Sequence, residues 1–257
     1  MAPHGPRVRA LIEFRNISKA FGSKHVLKDV SLVVDKGQIL FIVGLSGAGK
    51  SVLVKHLVGL IQPDAGQVLL DGRDITHLSE KEFYPVRMRC AMVFQHSTLF
   101  DSMSLVENVM LPLRKHKDLN HRQAHDAAIG FLRRVQMDHM ANRFPSDIGD
   151  GLRKRVAIAR ALTLDPDFVI FDEPTTGLDP LAAANVDRLI RQLSDEQGVT
   201  SIVVSHDLRS IFTVADRIAM IYQGNVRLDG TPADFRNSRD GVIYQFIRGL
   251  AEGAMDL

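Results

Sequence analysis

The feature that most restricts how this chain can fold is an eight-residue run that fits the pattern G-x-x-x-x-G-K-[S/T]. The run consists of Gly44, Leu45, Ser46, Gly47, Ala48, Gly49, Lys50 and Ser51. The apolar residues 39–43 before it predict a buried strand, and residues 52–58 after it have the apolar spacing of a helix. In that context the glycines let backbone N–H groups point inward at phosphate oxygens, next to the positive end of a helix. Lys50 can then reach the β- and γ-phosphates, and the Ser51 hydroxyl can bind Mg²⁺.

A glycine-rich turn with a solvated lysine is the alternative interpretation of this run. A simple turn needs neither a strand before it nor a helix after it, whereas a phosphate-binding loop requires both. We therefore predict a nucleotide-binding site at residues 44–51.

Length and composition favour a globular protein with a large core. The chain has 257 residues, of which 45% are hydrophobic, and a net charge of +2, which gives no strong field for nucleic acid. Cys90 is the only cysteine, so an internal disulfide is impossible, which is compatible with a reducing cytoplasm. No apolar run approaches the roughly 18 residues of a membrane span. Residues 1–10 are predicted to form a flexible tail without the apolar segment of a signal peptide.

Polar side chains follow three further apolar runs, at the points where buried strands should end. Asp172 and Glu173 come directly after one run, His206 two residues after another, and Gln95 after a third. Beside a phosphate loop, Asp172 would hold Mg²⁺ through water, and Glu173 could accept a proton from an attacking water. Gln95 could orient a water or contact Mg²⁺. The alternatives are a solvated acidic turn, a structural histidine and a capped strand end.

The remaining pattern suggests how the chain is organised. Alternating residues at 11–14 and 26–34 predict antiparallel strands joined near Phe21, which could stack on a purine ring or be a core aromatic. From about residue 97 to residue 156, helical spacing replaces the β-branched runs, which predicts an inserted helical subdomain. The basic residues 153–155 within it are interpreted as part of a solvated helix face.

Taken in order, these features resemble the ATPase subunit of ABC transporters from about residue 11 to residue 230. The resemblance implies an α/β fold with a P-loop NTPase core, a mixed sheet flanked by helices. It adds an N-terminal antiparallel β subdomain and an inserted α-helical subdomain. ATP and Mg²⁺ are the implied cofactors. The implied domains are a single ATPase domain at 11–240, with its core at 11–96 and 157–240 and its helical subdomain at about 97–156, and a C-terminal helix and tail at 241–257.

The resemblance also implies a role for each candidate residue. The roles are adenine stacking for Phe21, the Walker A loop for residues 44–51, the Q-loop for Gln95, the Walker B pair for Asp172 and Glu173, the D-loop for Asp179 and the switch histidine for His206. Glu173 is the implied general base, and Ser51, Gln95 and Asp172 are the implied metal-site residues. Gln95 would also sense the membrane partner, and His206 would contact the γ-phosphate.

A finer resemblance covers residues 86–114 and 245–249, which look like the ATPase of MCE/Mla-type lipid transporters. Leu99 and Phe100, followed by Glu107, Asn108 and Val109, carry it. It implies a head-to-tail homodimer that lies in the cytoplasm on the inner face of the cell's inner membrane. The implied partners are a membrane permease and, indirectly, an MCE-domain protein that together move lipid between membranes, and no nucleic acid.

One stretch departs from the family pattern. Where the family has the signature Leu-Ser-Gly-Gly-Gln or Leu-Ser-Gly-Gly-Met, this chain has Ile148, Gly149, Asp150, Gly151 and Leu152. Gly149 lacks the hydroxyl that would bond the γ-phosphate of the opposite subunit, and Asp150 brings a carboxylate near a triphosphate. We expect ATP hydrolysis that is slow unless a partner complex compensates.

Two other functions remain open at this point. One is an ATP-gated regulatory subunit with weak or no hydrolysis, which the altered signature favours and which Glu173 and His206 oppose. The other is a soluble ABC ATPase that acts on nucleic acid or ribosomes. Proteins of that kind usually carry two cassettes or a long coiled coil, and their nucleic-acid contacts call for a stronger basic charge.

Overall fold

Two β-sheets form the framework in the computed structural model, which describes residues 10–255. The smaller sheet has the strand order β2-β1-β4-β5 and is antiparallel throughout. Its strands are β1 (Ala10–Phe21), β2 (Lys24–Asp35), β4 (Ala65–Leu70) and β5 (Arg73–Asp74). The predicted hairpin near Phe21 is confirmed, since Phe21 pairs with Lys24 at its end. Most of the tail predicted for residues 1–10 lies outside the described residues.

The larger sheet has six strands in the order β10-β9-β3-β8-β7-β6. They are β3 (Ile39–Val43), β6 (Cys90–Val93), β7 (Phe168–Asp172), β8 (Thr200–Val204), β9 (Arg217–Tyr222) and β10 (Asn225–Gly230). All neighbouring pairs are parallel except β10 with β9, so the sheet is mixed, as predicted. Every residue of β3 and β8 is buried, which explains why these strands are continuous apolar runs or nearly so.

Helices cover both faces of this sheet. They are α1 (Lys50–Leu57), α2 (Glu80–Met88), α3 (Leu105–His116), α4 (His121–Arg134), α5 (Asp150–Leu162), α6 (Pro180–Gln197), α7 (Leu208–Val214), α8 (Pro232–Arg236) and α9 (Gly241–Arg248), with 3₁₀ turns at Asp138–Met140 and Pro145–Asp147. A capping box of Ser79 and Glu82 begins α2. Within residues 10–255, no helix combines the length and the apolar character needed to cross a membrane.

Alternation along the central strands divides the core into two clusters. Ile39, Phe41 and Val43 pack with α3 to α6, whereas Leu40 and Ile42 pack with α1 and the smaller sheet. The result is a layered α/β fold of the predicted class. Helices α3 to α5 fall between β6 and β7, where the helical subdomain was predicted. The division proposed at residue 156 falls inside α5 and remains a prediction.

Because β3, β6, β7 and β8 are parallel neighbours or near neighbours, their carboxyl ends meet at one edge of the sheet. The candidate residues Lys50, Gln95, Glu173 and His206 all follow these ends. The fold therefore gathers at one edge what the sequence spreads over more than half of the chain.

Candidate functional site

The phosphate loop leaves β3 and enters α1, and backbone crowding explains two of its glycines. Gly44 has φ +142°, and a Cβ there would lie 2.2 Å from the carbonyl oxygen of Ile221. Gly49 has φ +103°, and its Cβ would lie 2.7 Å from Leu27 Cδ2. Side chains are thus excluded from both positions. The loop runs directly into the first turn of α1, where free N–H groups favour an anion.

Lys50 is buried within this loop. Its Nζ donates hydrogen bonds to the carbonyl oxygens of Gly44 (2.8 Å) and Leu45 (2.9 Å), and only 7% of the residue is exposed. Burial lowers the pKa of the ammonium, while the carboxylates of Glu173 and Asp172 act in the opposite direction. The single side-chain cation of the loop is therefore held against the loop's own backbone, where an incoming phosphate would meet it.

Ser51 and Asp172 form the second contact of the site. The Ser51 hydroxyl donates to Asp172 Oδ1 over 3.1 Å, which joins the start of α1 to the end of β7. A hydroxyl and a carboxylate are hard oxygen ligands of the kind Mg²⁺ prefers, usually with water and phosphate as its remaining ligands. The pair therefore fits the metal predicted from the sequence, although the metal itself remains part of our proposal.

Glu173 is held by two side chains on its carboxylate. Thr176 Oγ1 donates to Oε2 over 2.9 Å, and His206 Nδ1 lies 3.0 Å from Oε1. Its backbone has φ +51°, an uncommon value for a residue other than glycine, and such conformations cluster at functional sites. The His206 side chain is 61% exposed, while that of Glu173 is 16% exposed. The arrangement presents a fixed proton acceptor beside a ring that is open to solvent.

Sequence reasoning did not identify Thr176 or the support behind His206. Asp207 begins α7 by accepting from the Arg209 N–H, and Ser210 lies between its carboxylate (3.1 Å) and that of Asp187 in α6 (2.8 Å). Burial raises the pKa of Asp187 to about 6, and the Ser210 hydrogen bond acts against that shift. A hydroxyl three residues after an acid was the only local signal for Thr176. Asp187 lies too far along the chain to have given any.

The structure leaves Phe21 and Gln95 at the surface. Phe21 is 49% exposed, and the Lys19 ammonium lies 5.5 Å from the centre of its ring. This exposure excludes a core aromatic and leaves a face free for stacking. Gln95 is exposed and lies two residues after the end of β6. Their roles remain predictions.

The signature stretch lies apart from these groups, at the start of α5. Gly149 is the N-cap without a side-chain hydrogen bond, and a Cβ there would meet nothing within 4 Å. The exposed Asp150 lies 3.5 Å from Arg153. Gly151 is constrained, because its Cβ would lie 2.8 Å from the Cβ of Ala182 in α6.

Asp179, the predicted D-loop residue, lies beside the same region. Its Oδ1 accepts from the N–H groups of Leu181 and Ala182, so that it caps α6. It lines a cavity of about 250 Å³ together with residues 149–152. Within residues 10–255, no hydrogen bond or ion pair joins residues 149–151 to the phosphate loop. The group around the phosphate loop is called the first half-site below, and residues 149–151 are called the second half-site.

One prediction is wrong. Lys154 was assigned to a solvated helix face, but it is 2% exposed and its Nζ donates to the carbonyl oxygens of Phe94 (2.9 Å) and Gln95 (2.5 Å). Burial lowers its pKa to about 8, against the attraction of Asp150 and Asp172. The residue escaped prediction because its partners lie about sixty positions earlier in the chain.

Comparison with known sequences matches the family model described as ABC transporter to residues 27–176. The intermembrane phospholipid transport system ATP-binding protein MlaF of Haemophilus influenzae is 37% identical over 95% of this chain and 92% of its own length. The protein of the same name from Escherichia coli is 35% identical over 96% and 91%. A Mycobacterium leprae protein, mkl, named as a probable ribonucleotide transport ATP-binding protein, is 35% identical over 96% and 71%.

Solved structures resemble the fold closely. The ATP-binding cassette MJ0796, a dimer in a post-hydrolysis state bound to ADP and Pi, has a TM-score of 0.78 and 29% identity, and the match covers 86% of this chain and 99% of that one. CbiO1 of Clostridium perfringens, part of the ABC transporter complex cbiONQ, has a TM-score of 0.83 and 26% identity over 90% and 92%.

Proposed function

Because this chain belongs to the ABC transporter family, we propose that it is the ATP-hydrolysing subunit of a permease complex that moves phospholipid between membranes. The observation that carries the proposal is the grouping of a cation, a hydroxyl, two carboxylates and an imidazole at one sheet edge. These groups belong to Lys50, Ser51, Asp172, Glu173 and His206. The chain itself is an ATPase of this family. Its cargo, its partners and its place on the inner face of the inner membrane are proposals.

Hydrolysis follows from the geometry of the first half-site. The loop N–H groups and Lys50 bind the phosphates, and Mg²⁺ at Ser51, Asp172 and Gln95 would neutralise phosphate charge. Glu173, held by Thr176 and His206, accepts the proton of the attacking water. This contact is the reason that we favour hydrolysis over a purely regulatory role.

The second half-site supports a homodimer. Gly149, Asp150 and Gly151 lie on an exposed helix start that has no nucleotide loop of its own beside it. In a head-to-tail dimer, each such surface would close over the ATP held by the other subunit. A relative of matching fold is itself described as a dimer with ADP and Pi.

The loop after β6 is the proposed docking site for the permease. Phe100 in this loop is 50% exposed. The fully buried side chain of Asn108 in α3 holds the loop in place. The Asn108 amide donates to the carbonyls of Phe100 and Met103, and its oxygen accepts from the Phe100 N–H. Next to the loop, a cavity of about 200 Å³ is lined by Met92, Phe94, Thr98 and other residues, wide enough for apolar side chains of a partner helix.

Replacement of Phe100 tests this docking site. We expect Phe100→Asp to release the subunit from its permease in a pull-down, because a carboxylate replaces the aromatic anchor, while circular dichroism stays unchanged. Phe144→Asp, a change at another exposed aromatic (43%), is the matched control and should still co-purify. Retention of the Phe100→Asp subunit would contradict the assignment.

The cargo is tested with the complete complex in vesicles. The relatives named for phospholipid transport match over nearly their whole length, whereas the relative named for ribonucleotide transport matches over 71% of its own. We expect ATP-dependent transfer of labelled phospholipid between donor and acceptor vesicles, and no transfer with Glu173→Gln. ATP-dependent uptake of labelled ribonucleotide without lipid transfer would overturn the cargo.

A further inference from the structure

Lys154 is a buried cation whose partners are backbone oxygens. Its ammonium contacts the carbonyl oxygens of Phe94 and Gln95, and no ion pair joins it to a carboxylate within residues 10–255. Asp150 and Asp172 attract the ammonium without forming an ion pair with it, so hydrogen bonds to the charged group must help to offset the cost of its burial. The role of this lysine is therefore to be found in the residues that it contacts.

Its two acceptors lie where β6 leaves the sheet. The ladder between β6 and β7 ends at Val93 and Phe171, so the carbonyls of Phe94 and Gln95 follow the last paired residue. The donor to these two carbonyls is the Lys154 ammonium and not an N–H group of a neighbouring strand. Because these carbonyls belong to the two peptide groups that flank Gln95, they fix how its backbone is oriented.

The same lysine belongs to the first half of α5, close behind the signature stretch. Gly149 to Gly151 form the start of that helix, and Lys154 follows in its next turn. A cavity of about 360 Å³ lies between the two elements, lined by Gln95, Asp150, Lys154 and others, and this lysine crosses it. Further along α5, Arg160 makes a second link, donating to Thr98 Oγ1 over 3.1 Å.

We propose that Lys154 is a positioning residue that makes Gln95 and the signature stretch move as one unit. The two hydrogen bonds from Lys154 to Phe94 and Gln95, called the tether here, link the nucleotide bound at this chain's phosphate loop to the surface that meets the partner subunit. This inference rests on the proposed function, since it assumes that Gln95 and the signature both take part in hydrolysis.

Loss of the tether should slow turnover without weakening ATP binding. Lys154→Met keeps the length and the buried stem but leaves both carbonyls without their donor. We expect kcat to fall about tenfold to hundredfold, the range of a lost charged hydrogen bond, with KM for ATP unchanged. Lys154→Arg, which keeps a cation with N–H donors, should restore most of the rate. Lys115→Met, at an exposed position in α3, is the control and should match the wild type.

A double-mutant cycle separates positioning from general stability. Gln95→Ala removes the side chain that Lys154 positions but keeps the backbone carbonyl. In that background, Lys154→Met should cost little further turnover, because residues that act through one another are not additive. Additive losses, or a Lys154→Arg variant as slow as Lys154→Met, would overturn the proposal.

Hydrogen exchange on the full chain tests the tether without hydrolysis. Lys154→Met should speed amide exchange both in residues 94–98 and in the first turns of α5, while α3 keeps wild-type rates. Unchanged exchange in residues 94–98 would overturn the tether. If the tether is present but Gln95→Ala leaves turnover at the wild-type rate, the failure lies in the role assigned to Gln95 under the proposed function, and the positioning role falls with it.

Discussion

The two half-sites of this molecule are built in opposite ways. At the carboxyl ends of β3, β7 and β8, Lys50 is buried, Ser51 is bonded to Asp172, and Glu173 is bonded on both of its oxygens. At the start of α5, Gly149 and Asp150 are exposed, and within residues 10–255 Asp150 forms an ion pair with its helix neighbour Arg153 alone. The first half-site is assembled within one chain, whereas under the proposed function the second acts on the nucleotide of a second subunit.

Asp150 shows the consequence of that difference. A carboxylate in the first turn of a helix interacts favourably with the helix dipole, by about 0.3–1 kcal/mol at an exposed site. The same carboxylate opposes a triphosphate that approaches this helix start, by about 1 kcal/mol for unit charges 4 Å apart in water. We therefore propose that Asp150 stabilises the isolated chain and disfavours the closed, ATP-bound dimer.

Glu173→Gln should reduce turnover more than any other substitution, because it removes the proposed general base of the first half-site. The amide keeps the size of the side chain and can still pair with Thr176 or His206, but it cannot accept the proton. We expect ATP binding to persist and turnover to fall by about 10²–10⁴-fold, in steady-state assays of phosphate release. Glu196→Gln, on the exposed face of α6, is the control. Wild-type turnover in Glu173→Gln would show that Glu173 is not the base.

Lys50→Ala should weaken ATP binding by about tenfold to hundredfold, the value of charged hydrogen bonds to phosphate. Fluorescent-nucleotide titration measures this directly. Lys55→Ala, in the last turn of the same helix, should leave the affinity unchanged. If both variants bind ATP like the wild type, the phosphate-loop assignment is lost.

Much of the first half-site could be predicted from the sequence, because strand, loop and helix signals are local. Residues 39–51 form one local pattern, and Asp172 and Glu173 end another, so each can be recognised from a few consecutive positions. Because the strands before them are parallel, the carboxyl ends of these strands meet in the fold. Lys154, Asn108 and Asp187 could not be predicted in the same way. Each looks like an ordinary helix residue, and its partners lie on other elements or on the loop it supports.

Substitutions at Gly149 and Gly151 should change the free energy of unfolding in opposite directions, as measured by thermal unfolding. This result would distinguish the two glycines of the second half-site. Gly151→Ala forces a Cβ to 2.8 Å from that of Ala182, and we expect a loss of about 1–3 kcal/mol in the free energy of unfolding. Gly149→Ser places its side chain in open space and supplies a helix cap, for a gain of a few tenths of a kcal/mol, roughly the difference between Ser and Gly caps. Equal effects of the two changes would contradict the packing described for α5 and α6.

The basal ATPase rate of the isolated chain, compared with that of a double variant, tests the central claim most directly. Gly149→Ser and Asp150→Gly together restore the Ser-Gly-Gly centre of the common signature, remove the carboxylate and supply the hydroxyl. The account predicts a low wild-type rate that rises about fivefold in the double variant, which corresponds to about 1 kcal/mol of relieved repulsion. A rate that stays the same or falls would show that Gly149 and Asp150 form a working variant of the signature and do not limit hydrolysis.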